Sequence, residues 1–106
     1  MSDWREIANY AGGELNKVVA TYIWHPESPS GESYGVEIKI QIQELSNGHY
    51  QAVPNRAVKT PQQGTPYVSM QPEDTPEEAL QDCISGFKHF MGSVEETEWP
   101  LFPDHS

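Results

Sequence analysis

One cysteine in 106 residues leaves no partner for an internal disulfide, which suits a chain that folds by packing alone in a reducing compartment. Basic side chains are scarce too: six Lys and Arg stand against sixteen Asp and Glu, a formal charge of −10. Nucleic-acid binding draws most of its affinity from cations that neutralise phosphates, so this balance argues against a polyanion and favours a basic protein as partner. No apolar run approaches a membrane span, and the start MSDWREIANY lacks the basic and apolar parts of a signal peptide. The expected protein is cytoplasmic, with neither membrane nor nucleic acid among its direct partners. Phosphate-loop spacings such as GxGxxG are absent, and Gly12-Gly13 reads as a turn. His25, His49, His89 and His105 show no paired-ligand spacing, so neither metal nor cofactor is expected.

What the chain does have is one strong helix signal, over residues 73–94. Thr75 is placed to cap it, Pro76 suits its first position and Glu78 completes a capping box. Leu80, Cys83, Ile84, Phe87, Met91 and Val94 recur at steps of three and four, with Ala79 and Phe90 widening the stripe. Glu77, Gln81, Ser85 and Lys88 make the wet side. A helix of this length is marginal alone, so its stripe needs a surface to cover. Cys83 lies on that stripe and reads as a core thiol rather than a nucleophile.

Strands supply the surface. Val36, Ile38, Ile40 and Ile42 alternate with Glu37, Lys39, Gln41 and Gln43, the period of a strand with one buried and one wet face. Asn47-Gly48 marks a hairpin, with residues 49–53 returning antiparallel. A three-residue loop with Gly48 left-handed would set Glu44 against Tyr50 and Ile42 against Ala52, gathering the apolar residues; a two-residue turn would scatter them. Upstream, VVATYIW over residues 18–24 is dense in β-branched and aromatic residues without alternation, which predicts a strand that is central or covered on both faces. Residues 25–33, HPESPSGES, read as a mobile surface loop. Short strands are expected at residues 57–59 and 67–70, and a short helix, with Trp4, Ile7, Ala8 and Ala11 on one face, ends at Gly12-Gly13.

The resulting fold is α+β: an antiparallel sheet of three to four strands, one long C-terminal helix packed on one face and a short N-terminal helix, all in a single domain spanning residues 1–106. Residues 95–106 form a tail in which Trp99, Leu101 and Phe102 place large apolar surface beside acidic residues. The tail is expected to fold back over the core; the other reading makes it a docking motif. Candidate partner-binding residues are Glu37 and Lys39 on the wet strand face and Trp99, Leu101 and Phe102 in the tail. No catalytic constellation stands out. His25 and Glu27 flank a proline in a serine-rich loop, and Glu77, Glu78 and Asp82 are explained by the positive end of the helix dipole.

The hairpin return NGHYQAVP, with Gly48, Tyr50, Ala52 and Pro54, and the helix start at residues 74–79, DTPEEA, together resemble the HicB-like antitoxin family over residues 36–91. The resemblance implies a degraded ribonuclease-H-like fold of three antiparallel strands and a helix, without catalysis, and a small basic toxin ribonuclease as partner. The order helix, three strands, helix is also that of double-stranded RNA-binding domains, which need basic residues where this chain has Glu77 and Glu78. The function expected is a non-catalytic interaction or regulatory domain that neutralises a basic partner, with self-association through a sheet edge as a further possibility. The alternative is a small enzyme or ligand-binding domain using the sheet face and residues 25–34.

Overall fold

The alternating run forms the strand it predicts, and that strand organises the rest. A computed structural model describes residues 4–68 and 71–102, with elements α1 (Trp4–Ala11), β1 (Lys17–Trp24), β2 (Ile38–Glu44), β3 (Tyr50–Pro54) and α2 (Pro76–Phe90). The strands make one antiparallel sheet in the order β1-β2-β3, an α+β arrangement. Ile38, Ile40 and Ile42 are wholly buried while Lys39 and Gln41 stand exposed, so the period of two separates a dry face from a wet one. The hairpin adopts the three-residue loop: Ile42 faces Ala52, Glu44 faces Tyr50 and Gly48 is left-handed at φ 91°.

Helix α2 begins where its cap residues place it. The Glu78 amide donates to the Thr75 hydroxyl at 3.1 Å, and that hydroxyl in turn lies 3.1 Å from the Glu78 carboxylate. The helix ends at Phe90, short of the expected residue 94. Met91 turns extended (φ −71°, ψ 141°), and Thr97 captures the next amide, that of Gly92, at 2.9 Å. The buried ridge is Ala79, Cys83 and Phe87, one residue every turn, with Leu80 and Ile84 half-buried beside it. This ridge shares a core with the three isoleucines, Ala52, Val58 and Trp99. Complete burial pushes the Cys83 thiol from its ordinary value near 9 up to about 12, with the Asp82 charge adding to the shift.

Three expectations need correction. The first concerns β1, which is an edge strand rather than a central or covered one. Its Val18, Val19, Tyr22 and Ile23 are all substantially exposed. Dense β-branching reports a preference for extended backbone, not a place in the sheet, and β2 already has a neighbour on each side. Second, residues 25–34 are a built loop: Glu27 bridges to Ser33, the Ser28 amide donates to the Glu32 carbonyl at 2.7 Å, and Pro26 and Ser28 are buried. Third, Val58 and Lys59 form isolated bridges, to Tyr67 and Glu98, instead of strands at residues 57–59 and 67–70, because prolines at 61 and 66 limit the pairing. Residues 69–70 lie outside the described residues.

Helix α1 stands apart from the other elements. Of its expected apolar face, Trp4, Ile7, Ala8 and Ala11, only Ala8 is buried and Ile7 is half-exposed, while Tyr10, outside that face, is almost fully exposed. Arg5 forms an ion pair with Glu44 and, beyond Gly12-Gly13, Asn16 donates to Gln43 at 3.2 Å. The chain measures 52 × 26 × 19 Å, with a radius of gyration of 15.6 Å, above the roughly 13 Å of a compact chain of this length.

Candidate functional site

The tail builds the first concavity. Residues 98–102 run extended beside residues 55–59, hydrogen-bonded at nearly every second residue. Lys59 and Glu98 exchange both bonds (2.9 and 2.7 Å), the Ala57 amide donates to Pro100 at 2.8 Å and the Phe102 amide to Asn55 at 2.9 Å. This ladder turns Trp99 inward, where Tyr34 and Phe87 pack edge-on at centroid distances of 5.1 and 5.9 Å. The Arg56 guanidinium clips the segment by donating to the Trp99 carbonyl at 2.8 Å. Beside the ladder lies a groove of about 660 Å³, walled by Ala57, Pro66, Val68, Leu101 and Phe102, with Lys59 and Glu98 also lining it.

The five candidate residues thus separate into two places. Trp99, Leu101 and Phe102 come together at the groove, but Trp99 is a core residue at 8% exposure, whereas Leu101 is exposed. Glu37 lies before β2 with its carboxylate 4.0 Å from His25. Lys39 is on the wet face opposite Ile23 of β1, and its backbone is held by Asn55 through bonds of 2.9 Å in both directions. Neither borders the groove.

A second cleft, about 530 Å³, opens where β1 ends, between Trp24, His25, Glu27, Ser28 and Pro29 on one side and Ile84, Lys88 and Met91 on the other. A third feature is acidic: Glu73, Glu78 and Asp82 line a shallow hollow at the start of α2. Partial loss of water around Glu73, followed by the like charges of Asp82, Glu78 and Asp74, raises its carboxyl above the ordinary range. Among the described residues no three of His, Cys, Asp and Glu converge as a metal site requires, and no described helix is long and apolar enough to cross a membrane.

The surface that sequence reasoning missed is the edge of the sheet: Val18, Val19, Tyr22 and Ile23 are exposed on an edge strand, as are Ile7 and Tyr10 on α1. The signal was present in VVATYIW. The run is apolar on both faces, and each face keeps an exposed side chain, Tyr22 on that of Ile40 and Ile23 on that of Lys39. No protein-family profile, curated protein or solved structure matches the chain.

Proposed function

We propose that this chain is a small, non-catalytic protein-interaction domain of HicB-like kind, which acts by holding another protein. The observation that supports this most is β1, an edge strand with large apolar side chains in water and no second strand beside it among the described residues. Chains that work alone blunt such edges, whereas binding domains use them to add a strand. The net charge of −10 sets the sign of a further partner as basic, and the acidic hollow at the start of α2 is the face that suits it. The single buried thiol agrees with a reducing compartment such as the cytoplasm.

The test is capture of partners from the native host on the immobilised full chain, read by mass spectrometry. The expected result is one small basic protein at near-equal stoichiometry, released by raising the salt. A copurifying metabolite without a protein would instead favour a ligand-binding or enzymatic domain. That second reading draws on the cleft of about 530 Å³ in which His25, Glu27 and Lys88 gather; its walls come from residues 24–29 and α2, not from the open sheet face.

A further inference from the structure

We infer that the occupant of the open β1 edge is a second copy of this chain, paired antiparallel to the first about a two-fold axis near Tyr22. The inference rests on the reading of β1 as an interaction edge and names what sits there. The backbone supplies the first argument. β1 pairs with β2 alone among the described residues, so its other row of amides and carbonyls offers a ladder. A bulge between Val18 and Ala20 interrupts the start of the strand, but residues 20–24 pair with β2 without a break. With the axis at Tyr22, Ala20 meets the second copy's Trp24 and Thr21 its Ile23. Each pair then lies on one face of the sheet, as antiparallel pairing requires, and the two copies contribute the same surface.

Exposed side chains supply the second argument. Val18, Val19, Tyr22 and Ile23 range from 39% to 58% exposed. Tyr22 shares the face of Ile40 and Ile23 that of Lys39, so a strand laid along the open edge covers apolar side chains on both faces of the sheet. The same two-fold brings the Lys17 end of β1, near which Arg5 and Asn16 hold α1 and its connection, beside the Trp24 end of β1 in the other copy.

Charge decides between a second copy and a basic partner. From Trp4 to Trp24 the basic residues Arg5 and Lys17 balance the acidic Glu6 and Glu14, so this stretch is neutral in a chain whose net charge is −10. A basic protein gains nothing there. Two such acidic chains, by contrast, repel through every other face and can meet through this one.

Sedimentation equilibrium of the full chain at about 100 μM tests the pairing. The expected mass is twice 11.9 kDa. Ile23→Glu, at a position 58% exposed, should weaken the dimer at least tenfold while its circular dichroism stays that of the wild type. Gln41→Glu on the neighbouring strand should leave the dimer intact. A wild-type monomer at this concentration, or an Ile23→Glu variant that dimerises as well as the parent, overturns the inference. If the wild type is monomeric yet Ile23→Glu abolishes capture of a host protein, the edge is an interaction site with a different occupant. If it is monomeric and capture is unaffected, the reading of β1 as an interaction edge falls as well.

Discussion

The two edges of the sheet are finished in opposite ways. At β3, Tyr50 exchanges both backbone hydrogen bonds with Glu73 (2.8 and 2.7 Å), Pro54 removes a donor, and the chain beyond is roofed by the ladder of residues 98–102. At β1 there is a bulge and one lysine, and otherwise, among the described residues, backbone with no strand beside it next to exposed valine, tyrosine and isoleucine. A chain that protects one edge with three separate devices has the means to protect the other. Among the described residues β1 carries no such cover, and an open apolar edge invites aggregation unless another strand pairs with it.

Mutations can break or sharpen this contrast. The largest effect should come from Trp99→Ala, which removes the inward anchor of the segment covering the β3 side. Truncating a buried Trp costs about 3–5 kcal/mol, a large share of the roughly 5–15 kcal/mol that holds a small domain together. Urea denaturation should show it, and a loss under 1 kcal/mol would mean that the tail merely rests on the surface. Thr75→Ala should cost about 1 kcal/mol by deleting the cap two residues after Glu73, where the closing strut of β3 passes into α2.

Alkali tests the same core through Cys83. Because the folded thiol is raised to about 12, the native state holds its proton through a range in which the unfolded chain loses it. The contribution of this group to stability should be constant below about pH 9 and decline as pH rises from there toward about 12. At pH 8 a disulfide reagent should label Cys83 only after urea unfolds the chain; prompt labelling of the native protein would contradict the packing. The smallest effect belongs to the open edge. Ile23→Thr at micromolar concentration should change the unfolding free energy of the unpaired chain by no more than about 0.5 kcal/mol, since Ile23 is more than half exposed. A penalty comparable with that of Trp99→Ala would abolish the distinction between the two edges.

Local signals in the sequence were good guides wherever one stretch decides its own structure. Thr75, Pro76 and Glu78 set the start of α2, and the loop of residues 46–48 with Gly48 set the hairpin register, because capping and turn geometry depend on neighbours in the chain. The end of α2 was misjudged since Thr97, which takes the amide of Gly92, lies outside the helical pattern. Strand order was hidden for a related reason: which element flanks β1 depends on the whole chain, while VVATYIW records only a taste for extended backbone. Of the candidate site, Trp99, Leu101 and Phe102 come together at the groove beside the tail. Glu37 and Lys39, chosen for their alternation, lie elsewhere, and nothing local to any of the five could reveal that Trp99 faces Phe87.

The burial of Trp99 also governs timing. The isoleucine ridge of residues 38–42 is complete early in synthesis, yet one of its covering side chains belongs to residue 99. At about 5–20 residues per second, the ribosome needs roughly 3–11 s to span that interval. For those seconds the nascent chain carries both a half-roofed core and the naked edge of β1, so its period of greatest exposure to chaperones precedes the arrival of Trp99.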